Sequence, residues 1–255
     1  MNRPKHIRCL PSEIGKYVLI PGDPARALKI AELLPNARRV IENREFHVYT
    51  GEIKGEAVTV CSTGIGGPSA SIAVEELAQL GAKTFIRVGS AGARQEWVPI
   101  GALVIATAAY RGDGTSRAYA PVELPAVADL RVTCALIEAC RELEYEHFVG
   151  LVYSRDAFYV QNRELNEFLK TAGILAAEQE CATIFTIGLV RQLSVGAILA
   201  TDSNIWLKEQ PTFEEKESLF RQAEIRAIKA ALRAVEILIQ KGDLYDCKKC
   251  KKSTI

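Results

Sequence analysis

Val58-Thr59-Val60-Cys61-Ser62-Thr63-Gly64-Ile65-Gly66-Gly67-Pro68-Ser69 decides how this chain reads. Its first four residues are apolar or β-branched and predict a strand. The glycines that follow interrupt any regular element, and residues 69–80 then carry the apolar period of a helix. The same unit recurs on either side. Tyr17-Val18-Leu19-Ile20 runs into Pro21-Gly22-Asp23-Pro24, a turn that also starts a helix. Thr84-Phe85-Ile86-Arg87-Val88 reads as a strand ending in Gly89-Ser90-Ala91-Gly92. Further strands are expected at 102–106, 149–153 and 195–200, and helices at 130–143 and 179–192. A last helix is marked by Leu219, Ala223, Ile228, Leu232, Val235 and Leu238. Alternating strands and helices imply an α/β fold, a mainly parallel sheet covered by helices on both faces. Functional residues of such folds gather at the carboxyl ends of the strands.

The chain has 255 residues, 48% hydrophobic and 25% charged, enough for a sizeable core. Residues 1–243 read as one domain and 244–255 as a Lys- and Cys-rich tail. Lys plus Arg total 32 against 31 for Asp plus Glu, so charge gives no reason to expect a nucleic acid or an anionic membrane as partner. No apolar run approaches the roughly 20 residues of a membrane-spanning helix. The basic start, Met1 to Arg8, lacks the apolar stretch of a secretion signal, and cytoplasm is the expected compartment. Seven cysteines, an odd number, argue against a closed disulfide framework. Cys9, Cys61, Cys134, Cys140 and Cys181 read as small core residues. Cys247-Lys248-Lys249-Cys250 supplies only half of a four-ligand zinc site, and no metal is expected.

The glycine turn at 64–67 does not complete G-x-G-x-x-G, because position 69 is serine, and no G-x-x-x-x-G-K-[ST] loop exists. Taken alone it reads equally as backbone tightness. Three arginines add chemistry. Arg26 follows the Gly22 turn, Arg44 lies in Asn43-Arg44-Glu45-Phe46, and Arg87 sits at an apolar strand end. Guanidinium forks bind phosphate oxygens bidentately. A structural ion pair with a carboxylate is the other reading of Arg87.

Val60 to Ser69, then Ser71-Ile72-Ala73-Val74-Glu75-Glu76-Leu77, then Arg87-Val88-Gly89-Ser90-Ala91-Gly92 resemble the uridine phosphorylase branch of the hexameric nucleoside phosphorylases. The resemblance runs from Pro21-Gly22-Asp23-Pro24 to the last helix. It implies a three-layer α/β fold with a mixed central sheet, and cleavage of a nucleoside by inorganic phosphate, a co-substrate, with no cofactor. It also implies a homo-oligomer, a hexamer built from dimers. By the same resemblance Gly22, Arg26, Arg87 and Ser90 would bind phosphate, and Arg44 would reach in from a neighbouring subunit. Glu178, Gln179 and Glu180 stand where the family has Glu-Met-Glu and would bind the ribose, Gln179 lining the sugar. Glu180 would hold the ribose hydroxyls, and His6 would reach a neighbour's ribose. Phe158 would stack on the base.

The identity of the base is open at this stage. Gln161-Asn162-Arg163 has the spacing of the uracil-reading Gln-x-Arg, but lies one residue closer to Phe158 than that pattern has it. The second uracil-side arginine is absent after Thr201, where Asp202-Ser203-Asn204 stands. Asp202 matches the acid that protonates a purine, and reads otherwise as a helix cap or turn former. Ser90 also leans toward purines, and Lys208 is a candidate assistant to Asp202. Uridine is narrowly favoured, with a purine nucleoside phosphorylase as the alternative. A hydrolytic nucleosidase would have no use for the three arginines. A dinucleotide-dependent oxidoreductase would need the complete glycine fingerprint.

Overall fold

The computed structural model describes residues 3–242. After a short 3-10 turn at Pro11–Glu13 the chain runs β1 (Tyr17–Pro21), α1 (Pro24–Glu32), β2 (Arg38–Asn43), β3 (Phe46–Ile53), β4 (Glu56–Cys61) and α2 (Gly67–Gln79). It continues with β5 (Thr84–Ala93), β6 (Leu103–Gly112), α3 (Thr115–Tyr119), β7 (Ala126–Val127), α4 (Leu130–Glu142) and β8 (His147–Arg155). The last elements are α5 (Arg163–Thr171), β9 (Ala176–Glu178), α6 (Cys181–Arg191), β10 (Ser194–Asn204) and α7 (Phe213–Lys241). No helix among the described residues is long and apolar enough to cross a membrane.

The central sheet is mixed, and its longest pairings, β5–β10 and β6–β8, are parallel. From β5 the sheet extends through β1 and β4 to the antiparallel hairpin strands β3 and β2. In the other direction β5–β10–β6–β8–β9 closes on itself, because β9 pairs antiparallel with the end of β5. One apolar layer packs α2 (Ala70, Val74, Leu77) and α6 (Ile184, Phe185, Ile187) against Phe85, Val104 and Leu199. The opposite layer packs α1 (Ala27, Ile30), α4 (Val132, Leu136) and α7 (Ala227, Ala231, Val235) against Ile86, Val88 and Ile105. Each fully buried large aliphatic contributes about 1.5–3 kcal/mol relative to exposure, so the two layers together orient the sheet edges that carry the site.

Several boundaries differ from the sequence reading, among them two that bear on the site. β5 does not stop at Val88 but runs through the glycines to Ala93, because β10 pairs with it as far as Ala93. Ladder hydrogen bonds hold glycines extended that isolated propensity would place in a turn. α6 starts at Cys181 rather than at 179, since Glu178 ends β9 and Glu180 occupies the N-cap. Cys9, Cys61, Cys140 and Cys181 are buried and Cys134 half-buried, all with free thiols. The tail with Cys247 and Cys250 lies outside the described residues.

Candidate active site

Three neighbouring segments converge on one cavity of about 1200 Å³. Gly22 and Arg26 come from the β1–α1 turn, Gly64 and Ile65 from the β4–α2 turn, and Arg87 and Ser90 from β5. Glu178, Gln179 and Glu180 also line it, with Asp202 and Ser203 from β10 and the exposed Phe158, Tyr159 and Gln161. This volume lies above the roughly 300–1,000 Å³ of common ligand pockets, room for a nucleoside and a phosphate together.

Arg87 is buried, and its guanidinium is held by two carboxylates. Nε donates to Glu178 Oε2 at 3.1 Å, and Nη2 makes a short bond to Glu180 Oε2. The ion-pair reading of Arg87 is therefore realised, with the carboxylates that the resemblance assigns to ribose. Burial alone would ease the proton off Arg87, but the fields of Glu180 and Glu178 hold it more firmly than usual. Glu180 itself is pushed up by burial, against the pull of Arg87 and with the neighbouring charge of Glu178 adding to the rise. Glu178 is a hub. It accepts from the backbone N–H of Glu180 at 2.8 Å, from that of Cys181 at 2.9 Å, and from Ser154 Oγ. A carboxylate at the first N–H groups of α6 satisfies donors that the helix cannot pair itself.

The glycine turn reaches the same network. Gly66 has φ +89° and its N–H donates to Glu180 Oε1 at 2.6 Å. A side chain is strained in that backbone conformation, which explains glycine here without any dinucleotide fingerprint.

Arg26 is held from outside the cavity. Its Nε donates to Glu224 Oε1 at 2.6 Å and its Nη1 to the Val88 carbonyl at 3.1 Å. Burial would raise Glu224, but hydrogen bonds from Lys29 and Arg26 outweigh it and leave the carboxyl below its usual range. Asp202 is not a cap or a turn former. It is the extra residue of a β-bulge in β10, where Thr201 pairs with Ala91 and Ser203 with Gly92. A bulge re-aims a side chain, and here Asp202 lines the cavity with its Oδ1 accepting from Ser203 Oγ at 2.7 Å. Burial raises its proton affinity, opposed by Ser203 and by the charges of Arg26 and Arg94.

Phe158 and Gln161 line the cavity, Phe158 with the Arg155 guanidinium 5.6 Å from its ring centroid. Gln179 also lines the cavity and donates to the Asp156 carbonyl at 3.0 Å. Three expected residues do not line it in the single chain. Arg163 opens α5 and is exposed, one turn of loop beyond Gln161. Arg44 is exposed at the β2–β3 turn with φ +55°. His6 pairs with Glu76, Nδ1 to Oε1 at 2.7 Å. Lys208 is exposed and also absent from the lining. Residues that the sequence reading missed include Glu45, Arg94, Arg155 and Glu224. A second arginine two residues beyond Gly92 was the available signal for Arg94.

A three-layer α/β fold whose strand ends surround an arginine–carboxylate cavity defines the nucleoside phosphorylase architecture. The chain belongs to the Phosphorylase superfamily, whose family model matches residues 16–236. It is 44% identical to a uridine phosphorylase of Thermococcus kodakarensis over 226 residues, 84% of this chain and 82% of that protein. It is 37% identical to a guanosine phosphorylase of Halorubrum lacusprofundi over 241 residues, 93% of this chain and 100% of that one. Among solved structures, a uridine phosphorylase from Vibrio fischeri complexed with 6-hydroxy-1-naphthoic acid superposes with a TM-score of 0.85 at 35% identity. That match covers 92% of this chain and 97% of the other.

Proposed function

We propose that the protein is a nucleoside phosphorylase that transfers ribose from a base to inorganic phosphate, with uridine as the favoured nucleoside. The observation that carries this is the Arg87–Glu178–Glu180 network lining one cavity with Gly22, Arg26 and Ser90. As the C1′–N bond breaks, positive charge develops on the sugar and negative charge on the leaving base. Phosphate held by Gly22, Arg26, Arg87 and Ser90 is aligned as nucleophile and complements the sugar cation. Glu180 orients the ribose by accepting from its hydroxyls, with Glu178 holding Arg87 and the α6 N-terminus in place. Phe158 stacks on the base and Gln161 hydrogen-bonds its edge. Arg44 and His6 complete the site across a subunit boundary, in a homo-oligomer.

Asp202 favours a second reading, a purine nucleoside, because a buried carboxyl of raised proton affinity is suited to donate to a departing purine. Release of free base from uridine, inosine, guanosine and adenosine, with and without phosphate, tests both. Phosphate-dependent release from uridine supports the first reading, and release from purines alone the second. Release without phosphate would make the enzyme a hydrolase and sink both.

A further inference from the structure

Arg94 is a buried cation with an unfilled hydrogen-bonding position. It stands just past the end of β5, is 2% exposed, and lines the cavity beside Gly92 and Ser203. Its Nη1 folds back to the carbonyls of Gly92 at 3.0 Å and Ala93 at 3.1 Å. Its Nε is the buried side-chain nitrogen or oxygen that finds no partner among the described residues. Leaving a charged donor buried and unpaired is costly, so such a group marks a place where a ligand supplies the acceptor. The site is shaped for it: a Cβ on Gly92 would sit 3.0 Å from Arg94 Nη1 and 2.8 Å from Ser203 Oγ.

The charges around Arg94 specify what the ligand carries. Arg155 repels it and Asp202 attracts it, so the corner is cationic on balance. That favours an oxygen acceptor, above all one that gains negative charge. The corner lies between Asp202 on the bulge and the mouth where Arg155 backs the Phe158 ring. Arg94, Glu180, Phe158 and Asp202 line one cavity, so a nucleoside with its sugar at Glu180 and its base on Phe158 would share that cavity with this corner.

We propose that Arg94 determines base specificity, its guanidinium donating to the exocyclic keto oxygen at C4 of uracil or C6 of an oxopurine. An amino group there would set donor against donor. The enzyme therefore selects oxo over amino nucleosides of either ring size, an inference that rests on the phosphorolysis reading above.

The test compares kcat/KM at saturating phosphate for uridine against cytidine and inosine against adenosine, in the wild type, Arg94→Met and Arg94→Lys. Arg94→Met is expected to cut turnover of the oxo nucleosides by about 10- to 100-fold and to leave the amino nucleosides within about threefold. Arg94→Lys, which keeps a charged donor, falls between. An unchanged oxo-to-amino ratio in Arg94→Met overturns the assignment. Should the variants fail to fold, the wild type alone suffices. Replacing the keto oxygen of its better oxo substrate by sulfur, a weak acceptor, should cost about tenfold, and equal turnover overturns the role of Arg94. If the wild type releases no base with phosphate, the phosphorolysis reading fails. Calorimetric binding of free uracil and hypoxanthine then tests Arg94 separately: it should weaken by about tenfold or more in Arg94→Met, and undiminished binding refutes the inference.

Discussion

Gly66 and Glu180, separated by 114 positions, meet where the Gly66 N–H donates to Glu180 Oε1 at 2.6 Å. The bond fixes one oxygen of the carboxylate while Arg87 holds the other. Glu180 is thereby aimed by the backbone of the turn that the sequence marks most strongly.

Gly66→Ala tests that link. The backbone conformation at φ +89° costs a residue with a Cβ about 1–3 kcal/mol. The variant should lose stability of that order in denaturant unfolding. Its kcat/KM for uridine should fall about tenfold or more as the backbone relaxes out of that conformation and re-aims the N–H that Glu180 accepts. Unchanged kinetics with reduced stability would detach Gly66 from the ribose end.

Arg87→Ala strands two buried carboxylates. Removing one partner of a buried pair costs about 3–5 kcal/mol, so unfolding should shift strongly along with loss of phosphate-dependent turnover. Arg87→Lys retains a charge and should recover much of the stability but little of the activity, since an ammonium lacks the fork that reaches Glu178 and Glu180 together. Full activity in the lysine variant would deny Arg87 a bidentate role.

Glu224 should act on phosphate affinity from outside the cavity. Glu224→Gln weakens the hold on Arg26, so the KM for phosphate should rise about fivefold or more, with the KM for nucleoside little changed. Its carboxyl is held below the usual range, so the stability it contributes is fully present above the unfolded-state value and is lost as pH falls through the folded one. The stability gap between wild type and variant should therefore close on acidification below about pH 4. A gap that persists in acid would show that the glutamate charge is not its source.

Asp202 carries a pH signature. Its raised proton affinity keeps the acid form to higher pH than an exposed aspartate, and that form is lost as pH rises through the raised value. Inosine phosphorolysis should decline on that alkaline side. Asp202→Asn should lower inosine turnover by on the order of 100-fold or more while touching uridine turnover far less. Equal losses on both substrates would leave Asp202 without a purine-specific role.

Phe158 is 59% exposed, so Phe158→Ala should change stability by no more than about 0.5 kcal/mol. The KM for nucleoside should rise about tenfold for loss of one stacking face. A KM unchanged within error would move the base elsewhere.

Much of this was legible in the chain. Runs such as 17–20, 58–61 and 195–200 are apolar and β-branched because both faces of their strands are buried, and the glycines that follow the first two mark where the backbone opens onto the cavity. The hairpin at Arg38–Asn43 and Phe46–Ile53 was not read, since β2 is half-exposed and its pattern is diluted by charge. α5 escaped for a similar reason: Leu169 is its one buried residue. β9, three residues long, is too short to carry a period, yet it delivers Glu178 to Arg87.

The sequence by itself determined the alternation of strands and helices, the family, and the glycines, arginines and carboxylates of the cavity, because local propensity and long motifs are written in neighbouring residues. Only the tertiary structure decided what those groups face. It gave Arg87 to Glu178 and Glu180, and Arg26 to Glu224. It put Asp202 on a bulge and left Arg94 with an unpaired Nε beside it. Those relations join residues far apart in the chain, through strand register and the closing of β9 onto β5, and neither is encoded within any window of the sequence.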